Sequence, residues 1–114
     1  MSVELVTIYS GVIASGASTI SFDLTKSWDK IYAFVQTMST NAALDVYGSV
    51  DGTNFYPMFA TVQTFTTMYG YQSQVIGTAV AGGISPVYCY TRYVQLRASA
   101  VVSGGVNISL ICND

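Results

Sequence analysis

Apolar and polar residues alternate with a period of two along much of this sequence, the pattern of a strand that buries one face and wets the other. Over residues 18–24, Ile20, Phe22 and Leu24 fall on one side and Thr19, Ser21 and Asp23 on the other. Residues 43–50 repeat it, with Leu44, Val46 and Val50 inward and Asp45, Tyr47 and Ser49 outward. That run stops at Asp51-Gly52-Thr53-Asn54, where Gly52 and Asn54 suit the left-handed backbone of a tight turn. Residues 93–100 set Val94, Leu96, Ala98 and Ala100 against Gln95, Arg97 and Ser99, and residues 106–112 set Val106, Ile108 and Leu110 against Asn107 and Ser109. Ser103-Gly104-Gly105 between these two predicts a hairpin.

Other segments are apolar on both sides. Residues 31–38 carry Ile31, Ala33 and Val35 on one face and Tyr32, Phe34 and Met38 on the other, so the outer face is expected to meet another subunit or a loop. Residues 3–9 read as a first strand, 59–68 as one Thr-rich strand or a short pair, and 71–76 as another. Residues 79–86, ending in Pro86, read as a connection or as an edge that Pro keeps from pairing. Val, Thr, Ile, Tyr and Phe dominate, and no stretch of a dozen residues shows a helical stripe; at most one short helical turn is expected. The fold class is therefore all-β: a single domain over residues 1–114, an antiparallel β-sandwich of jelly-roll or immunoglobulin-like type with about eight strands. Strand order is not legible at this stage.

Charge excludes several functions. Lys and Arg number 4, Asp and Glu 6, and His is absent, while mean hydropathy is +0.44. A chain so apolar is not disordered, and four cations leave no basic footprint for nucleic acid. Without His, the commonest general base and metal ligand are missing, and no carboxylates sit at paired-acid spacing. No enzyme, cofactor or metal site is expected. Residues 5–22 are uncharged, yet Thr7, Ser10, Gly11, Ser15, Gly16, Ser18 and Ser21 interrupt them too often for a membrane span. The N-terminus lacks the basic start of a signal peptide, so cytoplasmic synthesis and free, packed thiols at Cys89 and Cys112 are expected.

The largest anomaly is residues 52–91, which contain no charge at all and carry Tyr56, Tyr69, Tyr71, Tyr88 and Tyr90. Half of any strand in a sandwich faces outward, so an uncharged surface of Thr, Gln, Ser and Tyr is implied there. Interfaces enrich Tyr and deplete Lys, Glu and Asp, and these five tyrosines are the candidate anchors of a protein contact. The same ring type can stack on sugars, which makes Tyr47, Asp51 and Asn54 candidate glycan contacts, with Gln72 beside them. Asp51-Gly52-Thr53-Asn54 lacks the further carboxylates of a calcium loop.

Two stretches add a resemblance. Val46-Tyr47-Gly48-Ser49-Val50-Asp51-Gly52-Thr53-Asn54-Phe55-Tyr56-Pro57-Met58, then Arg92-Tyr93-Val94-Gln95-Leu96-Arg97 followed by Ser103-Gly104-Gly105, resemble small β-sandwich virion proteins of tailed bacteriophages. With the alternating last strand at 106–112, the match covers residues 44–58 and 91–112, about a third of the chain. It implies a structural role in a phage particle, made in the host cytoplasm and located in the virion: a capsid decoration or cement protein, or a head-fibre or tail-associated module. The implied partners are the major capsid protein or another virion protein and copies of the chain itself, as a trimer or higher homo-oligomer. The competing class is a carbohydrate-binding β-sandwich module.

Overall fold

A computed structural model describes residues 6–36, 43–61, 71–73, 75–76, 83–89 and 91–114. Its strands are β1 (Val6–Ile13), β2 (Thr19–Asp23), β3 (Lys30–Val35), β4 (Leu44–Ser49), β5 (Tyr56–Pro57), β6 (Phe59–Thr61), β7 (Tyr71–Ser73), β8 (Val75–Ile76), β9 (Gly83–Pro86), β10 (Tyr93–Ala98) and β11 (Val106–Asn113). No helix occurs among the described residues. One sheet has the order β1-β11-β3-β9 and the other β2-β10-β4-β5, every pairing antiparallel. β8 also pairs with β4, opposite Leu44 and Asp45, while β5 lies opposite Tyr47 and Gly48. The two short pieces thus share one edge position, and the β6–β7 ribbon is inserted between them.

Counted this way the sandwich has eight strand positions, four in each sheet. Successive strands change sheets: β1 and β3 lie in one, β2 and β4 in the other, and β9, β10 and β11 alternate again. This is the jelly-roll connection; an immunoglobulin-like chain would place its first two strands side by side in one sheet.

The alternation read from sequence sets which residues meet between the sheets. Val106, Ile108, Leu110 and Cys112 of β11 line up with Val35, Ala33 and Ile31 of β3 on one inner face. Leu44 and Val46 of β4, Val94 and Leu96 of β10, and Phe22 of β2 form the other. Trp28 closes the core at the β2–β3 corner. Its indole N–H donates to the Leu24 carbonyl at 2.8 Å, which also accepts the Tyr9 hydroxyl at 2.9 Å. Lys26 lies 4.2 Å over the indole ring and pairs with Asp114.

Three expectations are corrected. Val50, expected inward, is 85% exposed, and Ser49, expected outward, is buried, because β4 ends at Ser49 and the chain turns there. Ala100 is exposed because β10 ends at Ala98. No hairpin joins β10 to β11: β10 is flanked by β2 and β4, β11 by β1 and β3, so neither has a free edge for the other. The intervening chain crosses between sheets instead, pinned by buried Val102, whose N–H donates to Ala17 at 3.0 Å and whose carbonyl accepts from Gly16 at 2.8 Å. Residues 3–5 of the expected first strand and 62–68 of the Thr-rich segment lie outside the described residues.

Candidate functional site

β1 and β2 approach each other at one margin of the sandwich, which leaves β9 and the β5/β8 position at the other. The described parts of the uncharged segment 52–91 that pair into the two sheets, β5, β8 and β9, lie at that second margin. Tyr56 stands on β5, 67% exposed, and Tyr88 follows β9, 54% exposed, so the two belong to opposite sheets. Tyr71 is placed by its backbone in β7, opposite Thr61. Tyr69 and Tyr90 lie outside the described residues.

The turn after β4 is held by Ser49 and Asp51. Ser49 Oγ donates to Asp51 Oδ1 at 2.8 Å and accepts the N–H groups of Gly52 at 2.9 Å and Asp51 at 3.2 Å. Asp51 Oδ1 also accepts from the N–H groups of Thr53 at 2.8 Å and Asn54 at 2.9 Å, and Oδ2 accepts from the Asn54 side-chain amide at 2.9 Å. Donors converging on the charged form hold the Asp51 carboxyl far below the usual carboxylate range, the Asn54 and Thr53 backbone N–H groups first. Gly52 has φ +80°, as the turn chemistry predicts, but Asn54 does not take the left-handed backbone expected of it; its N–H and side-chain amide bind Asp51 instead.

Beside this turn lies a cleft of about 360 Å³, bounded by Asp51, Asn54, Tyr56, Met58 and Thr91. Its floor is Gly48, on the inward face of β4, where a Cβ would come within 2.6 Å of Thr91 Oγ1 and 2.7 Å of Met58 Sδ. The structure therefore brings Asp51 and Asn54 together with Tyr56. It leaves Tyr47 apart, on the outer face of the β2-β10-β4-β5 sheet, with the Arg97 guanidinium 3.7 Å over its ring. Gln72 lies in β7, its backbone opposite Ala60. Within the turn, three donors converge on Asp51 Oδ1 and one on Oδ2, which leaves one acceptor position of Oδ2 open. Its chemistry is that of a turn brace.

Cys89 and Cys112 are both buried and unpaired. Burial pushes the Cys112 thiol up to about 11, and Cys89 Sγ lies 3.1 Å from Thr91 Oγ1.

The two outer faces differ in kind. That of the β2-β10-β4-β5 sheet is polar: Asp23 accepts two bonds from Arg92, at 2.7 and 2.9 Å, and Gln95 donates to Ser21 at 3.0 Å. That of the β1-β11-β3-β9 sheet is apolar, with exposed Val6, Ile8 and Val12 on β1, Tyr32 and Phe34 on β3, and Ile84 on β9. The expectation for residues 31–38 singled out Tyr32 and Phe34; the contribution of β1 and β9 was missed. Period-two parity in 6–12 was the available signal, but which strands lie beside β3 is a matter of pairing.

No family model matches this chain, and no curated protein matches it. Among solved structures, the SPBc2 prophage-derived protein YomS matches with a TM-score of 0.64 and 12% identity, over 100% of this chain and 97% of that one. The Yersinia pseudotuberculosis-derived mitogen YPM matches with a TM-score of 0.44 and 12% identity, over 97% of this chain and 86% of that one. At such identity the likeness to YomS is one of fold, and the second, at its lower score, supports nothing further.

Proposed function

We propose that this chain is a non-enzymatic structural protein of a bacteriophage particle, a capsid decoration or cement protein that packs on the major capsid protein and on copies of itself. The observation that carries the reading is the whole-length likeness to YomS, a prophage-derived protein. The turn and strand motifs at 46–58 and 92–105, which resemble phage virion sandwiches, support it from the sequence side. Fold alone does not choose, because jelly rolls serve capsid proteins and lectins alike. Charge does bear on the choice. The margin at β5 and β9, within the uncharged segment 52–91, has Tyr56 and Tyr88 exposed, suited to contact with another protein surface. Many copies on a symmetric lattice then add modest contacts into a large stabilisation.

The test is purification of phage particles through a density gradient from cells that carry the gene. The expected result is co-migration of the protein with the capsid protein at fixed stoichiometry. Its absence from particles sinks the reading. Glycan binding is the second reading, favoured by the cleft beside Tyr56 and Asn54 and weakened by the four donors that already engage Asp51 within the turn. A glycan array with saturable binding, lost in Tyr56→Ala, would move the assignment to that class.

A further inference from the structure

Asp51 is followed by Gly52, and no other Asp or Asn of the chain precedes a glycine. The pair sets a side-chain carboxyl beside a backbone nitrogen whose own residue has no Cβ to screen it. Together they can close a succinimide ring. The Gly52 nitrogen bonds to Asp51 Cγ, the C–OH bond of the protonated carboxyl breaks, and its oxygen leaves as water with the amide proton. Water then reopens the ring. Attack at Cγ restores aspartate, whereas attack at the main-chain carbonyl carbon routes the backbone through Cγ and leaves isoaspartate, with no change in mass and no further reagent.

In the folded chain both reacting groups are tied to one atom. The Oγ of buried Ser49 accepts the Gly52 N–H at 2.9 Å and donates to Asp51 Oδ1 at 2.8 Å. The Thr53 and Asn54 N–H groups also hold Oδ1, and the Asn54 side-chain amide holds Oδ2. For the ring to close, the Gly52 nitrogen must turn off the hydroxyl and the carboxylate must shed donors and take a proton. Hydrogen bonds to the charged form oppose that protonation. We propose that Asp51-Gly52 is this protein's site of spontaneous isoaspartate formation, and that the hydrogen bonds of the turn, Ser49 Oγ foremost, hold the reaction off in the folded state. Isoaspartate lengthens the main chain by one carbon between β4 and β5 and shortens the arm that carries the carboxylate. The brace is then lost beside exposed Tyr56 and its cleft. This chemistry goes beyond the virion reading and does not depend on it.

The experiment incubates the full chain at neutral pH, folded and in guanidinium chloride, and follows the peptide spanning residue 51 by electron-transfer mass spectrometry, which separates the two isomers. In the denatured chain, isoaspartate is expected at residue 51 ahead of every other Asp or Asn. Reaction through a local opening scales with the open population, so folded wild type is expected to react about tenfold or more slowly. Ser49→Ala, folded by circular dichroism, is expected to react about threefold or more faster than folded wild type. Leu110→Ala, which weakens the core and leaves the turn's bonds in place, keeps the folded wild-type rate. Equal rates in folded and denatured wild type overturn the inference, as does isoaspartate that forms first at another residue. A folded Ser49→Ala at the wild-type rate, or a Leu110→Ala as fast as Ser49→Ala, overturns it too. Should Ser49→Ala fail to fold, Asn54→Ala decides, since that side chain is exposed and its loss frees Oδ2 alone. A rate about twofold above wild type supports the role of the turn, and an unchanged rate overturns it.

Discussion

Ser49 and Asp51 show how much one turn can depend on two short side chains. Ser49 is buried, and its hydroxyl serves two backbone N–H groups and the Asp51 carboxylate at once. Removing it leaves those donors without an acceptor, so Ser49→Ala is expected to cost about 1–2 kcal/mol in urea unfolding. Val50→Thr, next along the chain and exposed, serves as control. Acid acts on the same turn. The Asp51 carboxyl is held well below its unfolded value, and Asp23 and Asp114 are lowered by Arg92 and Lys26. In acid the unfolded chain therefore binds more protons than the folded one, and stability is full above about pH 5 and declines as pH falls below it. Thermal melts from pH 7 to pH 2 should show this decline, with a shallower slope in Asp51→Asn. The turn was legible from Asp51-Gly52-Thr53-Asn54, since Asx and Gly chemistry is local. The burial of Ser49 was not, because alternation predicts faces only while the strand continues.

Strands β4 and β10 illustrate the element scale. Their inner faces follow from parity, but Gly48 sits on the inward side of β4 where Thr91 and Met58 close over it. The Thr91 and Met58 side chains crowd that point, so Gly48→Ala is expected to destabilise the protein by about 1–3 kcal/mol in chemical denaturation and to narrow the cleft beside Tyr56. A glycine inside an alternating run signals a close approach without saying to what. The same limit explains the connection at 99–105. Ser103-Gly104-Gly105 has the composition of a hairpin turn, yet β10 and β11 have both edges taken by other strands, and the turn residues serve a crossing between sheets. Residues 83–86, expected as a connection or an unpaired edge, instead form the edge strand β9, with Pro86 paired opposite Tyr32 on its inner side.

At the scale of the whole molecule, one core joins both sheets through Ile108, Leu110, Val46 and Leu96, all essentially inaccessible. Leu110→Ala removes contacts to both layers and is expected to cost about 2–5 kcal/mol, read as a shift in the denaturation midpoint with unchanged steepness. Local chemistry by itself determined the β class and, up to the strand ends, the inward residues of β2, β3, β4, β10 and β11, because a period-two pattern constrains each strand without reference to its neighbours. It also marked out a neutral stretch at 52–91. Only the tertiary structure decided that strands cross between the sheets in a jelly roll, that β5, β8 and β9 share one margin, and that the apolar residues of β1, β3 and β9 form one surface. Those are outcomes of pairing between residues as far apart as Ile8 and Ile111, and no local preference encodes which distant strand completes a sheet.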